Sequence, residues 1–510
     1  MKPLLRILFV IGFILMLPFL LFGQKVDKKT LEAWSRQKLP AAMAELEETL
    51  RIPNNALNPV DVINTLNWTT RAFEKRGFTV EALATAGPPL LLAERKVKKA
   101  RKTVLFYLHL DGQAVDSSKW HQESPYIPVI KKQTADGWVP VSEAELANGY
   151  ADEWRIFARS ASDDTGPVVM FLAAIDLMDA HGSEPNYTIK MIMDMEEENG
   201  SPNLPAAVTQ YAKKLAADQL VIFDGPRHIS NRPTLSFGAR GIATITLTVF
   251  GPRLPLHSGH YGNYAPNPAL RLAQLLASMK DGQGRVTVAG FYDGINLTAA
   301  DREEMAQVPD DEADIQRKIG IGETDKVGHN YQEALQYPSL NVRGLSSGWV
   351  GDEARTIVPA TATAEIDIRL VPESEGPRLI EQVKNHIAQQ GYHFIAGREP
   401  TDAEREKYGK LIYFSSVYSY PAFRTPINSV IGNWLSTALR TAFAKEPIKI
   451  RIMGGSIPIS PFVATLGTPA VVVPVVNPDN NQHSPNENLR IGNFREGIMA
   501  FTAILATPLE

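Results

Sequence analysis

In the stretch Thr103-Val-Leu-Phe-Tyr-Leu-His109 an apolar run ends abruptly on a polar side chain. A short apolar run of this kind reads as a strand buried on both faces. Residues 187–193 and 219–223 read as further strands. Between the first two of these strands, residues 168–178 carry apolar side chains at helical spacing after Gly166-Pro167. Strands interleaved with helices specify an α/β sheet with helices on both faces. In such sheets, polar groups just beyond the C-terminal strand ends converge on a site. His109, the run Glu196-Glu197-Glu198, and Asp224 all stand at such ends.

Outward from this core the texture changes. Residues 31–48 read as a mixed-charge helix. Beyond Pro233, residues 243–250 and 362–370 alternate in the manner of antiparallel strands with one wet face, and 376–390 reads as a helix. This predicts a smaller α+β domain over 232–397 inserted into the first, with 296–336 as a polar, acidic, irregular surface excursion. The α/β pattern returns over 398–510. There a helix near 429–444 leads to Gly454-Gly455-Ser456, Ala470-Val-Val-Val-Pro474 reads as a buried strand, and His483 follows in a loop. The first domain is thus expected in two parts, 24–231 and 398–510.

The 510 residues are too many for one simple core. A net charge of −4 offers no basic surplus for nucleic acid. Lys2 and Arg6 precede an apolar run, which with Gly23-Gln24 has the form of a secretory signal over 1–23 or a retained membrane anchor. The expectation is an exported protein, periplasmic or secreted, with membrane attachment only if that segment is kept. With no cysteine there are no disulfides, thiolate ligands or Cys nucleophile. Any metal site must use histidines and carboxylates.

Each candidate has an ordinary reading beside the functional one. In a strand His109 and Asp111 face the same side, so Asp111 can receive the second N–H of a metal-bound imidazole; a lone His at a strand end is otherwise structural. Ser162-Asp163-Asp164-Thr165-Gly166 is a turn or helix cap, or else Asp163 bridges two cations at a separation of roughly 3.5–4 Å. An acidic run such as 196–198 is usually a solvated face. After a buried strand, two adjacent carboxylates can instead divide roles, one binding metal and one taking a proton. Asp224-Gly225 and the His483-Ser484-Pro485-Asn486-Glu487 loop are ordinary taken alone.

As an ordered set these motifs resemble the M20 metallopeptidases, in particular their carnosinase-like dipeptidase branch. Tyr107-Leu-His-Leu-Asp111 is similar to the family's H-x-D strand, and Ala158-Arg-Ser-Ala-Ser-Asp-Asp-Thr-Gly166 to its G-R-G-x-x-D-D-K-G loop. Glu197-Glu-Asn-Gly-Ser201 matches E-E-x-G-S. Phe237-Gly-Ala-Arg-Gly241, Leu256-His-Ser-Gly-His-Tyr-Gly262, Arg355-Thr-Ile-Val-Pro359, Ile368-Arg-Leu-Val-Pro372 and Gly454-Gly-Ser-Ile-Pro458 complete the order. The resemblance implies that His109 and Asp224 bind one metal, Glu198 and His483 the other, and Asp163 both, through a loop with a cis Asp163-Asp164 bond. It implies Glu197 as general base and then acid, with Asp111 supporting His109. His257 resembles the imidazole that members lend to a partner subunit's site. Thr356, Arg369, Gly455 and Ser456 resemble substrate-binding positions, Arg369 as a clamp on a C-terminal carboxylate; Arg424 is a weaker candidate of that kind.

The implied protein is a zinc-peptidase-like catalytic domain with an inserted lid that also dimerises. It would use two divalent ions, Zn²⁺ first and Mn²⁺ or Co²⁺ as alternatives, to hydrolyse dipeptides or short peptides. Its alternatives are an amidase or deacylase of N-acyl amino acids, and a non-catalytic exported binding protein on the same fold. Two departures from the pattern stand out. Ala158-Arg159-Ser160 and Thr165 replace the usual G-R-G and Lys, and Met453 precedes Gly454 where an acid is frequent.

Overall fold

The computed structural model describes residues 26–510; the segment expected to be a signal or anchor lies outside the described residues. No helix among the described residues is long and apolar enough to cross a membrane.

An eight-stranded mixed sheet forms the larger unit. Its centre is four parallel neighbours: Tyr187–Asp194, Lys102–His109, Gln219–Ile222 and Ala470–Val472. Their burial is nearly complete because helices cover both faces. One face carries Lys28–Leu50, Thr165–Ala180, Val430–Phe443 and Ile491–Ala506, which share the main apolar core. Leu204–Gln210 and Ser460–Leu466 pack on the other. Thr165–Ala180 is apolar nearly all round, as a helix sandwiched between a sheet and other helices must be. A separate four-stranded antiparallel sheet joins Asn488–Arg490 to Arg155–Phe157, so the C-terminal part pins the loop after residue 157.

The lid is a five-stranded sheet in the order Ser339–Ser346, Thr361–Leu370, Gly241–Phe250, Leu411–Tyr420, His393–Phe394. The expected alternation is there: Gly241–Phe250 and Thr361–Leu370 bury every second residue. The helices Pro268–Ala277 and Gly376–Gln389 cover that face. The boundaries differ from 232 and 397. Thr234–Ser236 pairs inside the large sheet, whereas Leu411–Tyr420 pairs with Ile242 to Phe250 of the lid strand. A ten-residue strand finds its ladder partner in the lid, and the chain crosses back only after it.

The excursion over 296–336 is not irregular. It contains the helices Ala299–Ala306, Glu312–Ile319 and Tyr331–Ala334, each with a side-chain N-cap from Thr298, Asp311 or Asn330. Its acids serve as a strap to the larger unit. Asp301 meets Arg451 at 2.7 Å, and Asp310 meets His228 at 2.9 Å.

Candidate metal centre

His109 closes its strand fully buried, with Nε2 3.0 Å from Asp163 Oδ1. Asp163 lies in the loop before Thr165–Ala180, and its bond to Asp164 is cis. Asp224 follows Gln219–Ile222 by one residue. The candidate ligand atoms of His109, Asp163 and Asp224 lie within 4.8 Å of one another. A second set, Asp163, Glu198 and His483, meets the same limit and shares Asp163. His483 sits at φ +60° in its loop, which places Nε2 3.1 Å from both Asp163 Oδ2 and Glu198 Oε2.

Asp111 does more than face His109. Its carboxylate accepts the backbone N–H of Glu197 and of Glu198, each at 3.0 Å, and so fixes the turn that aims both acids. The His109 Nδ1 is nearer the Asp111 carbonyl oxygen (3.2 Å) than its carboxylate (3.5 Å). The carbonyl and the carboxylate of Asp111 thus both stand against this face of the imidazole.

Five carboxylates, Asp163, Asp164, Glu197, Glu198 and Asp224, crowd this pocket. Burial, then the Asp163 charge, push Asp224 up to about 6. Burial also raises Glu197 well above its ordinary value, with Asp224, Glu198 and Asp163 adding to it against His109. Burial opposes a charged His109, but hydrogen bonds to Asp111 and Asp163 outweigh it and hold its pKa high. Bonds to Asp163 and Glu198 drive His483 to about 10. The nearby Arg159 is already committed to Glu487 at 2.7 Å. Two imidazoles and a surplus of buried carboxylate, without thiolate, are the donor set of divalent cations that accept N and O ligands. The residues fit the expected metals.

Glu197, Gly455, Ser456 and His483 line the cleft over Asp163 and Asp224. Arg369 reaches its edge, donating from Nη1 to Ser456 Oγ at 2.7 Å. Arg424 instead pairs with Glu373. His257 and Thr356 are neighbours at an exposed two-stranded ladder, Leu256–His257 against Ile357–Val358, where the Ser258 N–H bonds to the Thr356 carbonyl. Neither lines the cleft of its own chain.

Three supporting residues escaped the sequence reading. Gln113 donates to Glu198 Oε2 at 2.9 Å, and Gln482 to Asp163 Oδ2 at 3.2 Å. Glu487, fully buried, accepts from the backbone of Ser160, Ser162 and Asp163. The available signal was Arg159: a cation inside a buried loop needs a carboxylate.

With this geometry in view, the comparisons are consistent. The model of peptidase family M20/M25/M40 matches residues 105–507, and the chain belongs to that family. It is similar to a Cys-Gly metallodipeptidase of Candida albicans, 26% identical over 485 residues, covering 90% of this chain and 92% of the relative. It is also similar to the Beta-Ala-His dipeptidase of Homo sapiens, 26% identical over 424 residues, 82% and 76% of the two chains. Among solved structures, an M20 family metallo-carboxypeptidase from Sulfolobus solfataricus superposes with a TM-score of 0.74 at 28% identity. That match covers 91% of this chain and 98% of the other.

Proposed function

We propose that this chain hydrolyses the peptide bond of dipeptides or short peptides. The observation that carries the reading is the pair of three-residue sets sharing Asp163, with Glu197 beside them in one cleft. Its likeness to a Cys-Gly metallodipeptidase and a Beta-Ala-His dipeptidase supports it. His109, Asp163 and Asp224 would hold one cation and Asp163, Glu198 and His483 the other. Zn²⁺ suits the ligands best, with Mn²⁺ and Co²⁺ as alternatives. Bound there, such ions acidify water and polarise a carbonyl.

The chain's own groups do the rest. Glu197 takes the proton of the attacking water on its carboxylate and returns it to the leaving amine. Asp111 keeps Glu197 in reach by holding its backbone N–H. Arg369, fixed by Ser456, binds the substrate carboxylate. His257, exposed on its short strand, serves the developing oxyanion in the cleft of a second copy in a lid-mediated homodimer. The protein acts outside the cytoplasm after export.

A panel of dipeptides and N-acyl amino acids, assayed with each metal added to stripped protein, tests the reading. Release of amino acids from dipeptides alone is expected. Turnover confined to N-acyl amino acids, or none with any metal, would overturn it.

A further inference from the structure

Arg240 precedes the first long lid strand and is 7% exposed. Its side chain donates from Nη2 to the Tyr337 carbonyl at 2.6 Å. Its Nε has no partner, and among the described residues it forms no ion pair. A guanidinium that cannot lose its charge is costly to bury without a carboxylate. A neutral donor could make the Tyr337 bond equally well. The charge itself needs a reason.

The surroundings supply one. The Arg240 backbone N–H donates to the Gly455 carbonyl at 3.2 Å. The next residue, Ser456, donates from its hydroxyl to the Gly241 carbonyl at 3.3 Å and accepts from Arg369 at 2.7 Å. Gly455 and Ser456 line the cleft, so the Arg240 backbone and the Arg369 side chain hold adjacent residues of one cleft-lining loop. Burial and then the Arg369 charge pull Arg240 down to about 10, as two neighbouring cations require. The nearest compensating acid, Asp367, stands 3.6 Å from Arg369 Nε and is shared with Asn341. Two cations thus face about one carboxylate. Within this group of three the balance is one positive charge, set apart from the carboxylates around Asp163.

We propose that Arg240 is a positioning residue for substrate selection. Its uncompensated charge, held beside the loop by the backbone bond to Gly455, biases the Arg369–Ser456 corner toward ligands that bring a free carboxylate. This rests on reading the cleft as a dipeptide site. Arg240 itself touches no substrate; it acts through Arg369 and the loop.

The test compares Ala-Ala with its C-terminal amide in wild type, Arg240→Met and Arg240→Lys, all metal-loaded. The acid-to-amide ratio of kcat/KM is taken within each preparation, so it does not depend on how much protein is folded. At effective protein dielectric, losing a charge one layer behind the binding group is expected to cut that ratio about tenfold in Arg240→Met. The loss should appear in KM, with kcat changed less than about twofold, and Arg240→Lys should keep the wild-type ratio. An unchanged ratio in Arg240→Met, or an equal fall for acid and amide, overturns the proposal. Calorimetric titration with alanine and alaninamide repeats the comparison without turnover. A wild type that prefers alanine but cleaves no dipeptide removes the proposed reaction. The fate of that preference in Arg240→Met then decides the inference.

Discussion

Glu487 accepts the backbone N–H of Asp163 at 3.1 Å, across 324 residues of sequence. The same carboxylate takes the Ser160 and Ser162 N–H groups and the Arg159 guanidinium. The loop carrying the shared aspartate is therefore shaped by one buried side chain from the far end of the chain.

Removing that charge tests the dependence. Glu487→Gln leaves Arg159 buried without its ion-pair partner, which is expected to cost about 3–5 kcal/mol. Chemical denaturation should show a lower midpoint, and zinc titration a weaker site. An unchanged midpoint and affinity would show that the loop holds its shape without Glu487.

Glu197→Gln isolates the proton transfer. Metal content should match wild type, because Glu197 lies in neither ligand set. Turnover should fall by about 10²–10⁴-fold, the usual worth of a positioned acid–base. Retained activity with full metal would remove Glu197 from its role.

Cations should also stabilise the fold. They bind the native pocket and relieve its crowded carboxylates, so a ligand held at about 1,000 times Kd adds about 4 kcal/mol. Chelation is expected to lower the thermal midpoint, and Asp163→Asn to abolish most of the rise on adding Zn²⁺, since Asp163 belongs to both sets. A midpoint indifferent to chelation would contradict the metal assignment.

Acid sensitivity should have a source away from the cleft. Asp176 accepts from Lys38 and from Arg76 at 2.7 Å. Burial opposes its ionisation, but those bonds prevail and hold it below the ordinary aspartate range. A folded pKa below the unfolded one means stability present above the unfolded value and lost as pH falls through the folded value. Wild type should therefore outlast Asp176→Asn at neutral pH, with the advantage shrinking below about pH 4. A constant difference between pH 7 and pH 3 would rule this out.

Much of this was legible in the chain. The run ending at His109 needs burial on both faces, so its strand follows from the pattern alone, while the ligand sets beyond it took the ordered motifs of the family resemblance. The lid strand Gly241–Phe250 announces its dry face by alternation. What stayed hidden depends on partners remote in sequence. Leu411–Tyr420 shows its allegiance only through its ladder with residues 242–250. The strap helices over 299–334 are short and polar, and owe their existence to caps and cross-unit ion pairs more than to an apolar stripe. Glu487 resembles any loop acid until the loop around Arg159 closes over it.

The order of the strands has a consequence for biosynthesis. Ala470–Val472 inserts between Gln219–Ile222 and Thr234–Ser236, although it is made long after both. While a ribosome still holds that segment, the large sheet has a missing rung, and both His483 and Glu487 are absent from the pocket. The lid strands, all lying between residues 241 and 420, can pair before then. The growing chain can thus pair its lid strands while the pocket is unfinished, and of the two sets that share Asp163 the one with Glu198 stays incomplete until His483 has been made.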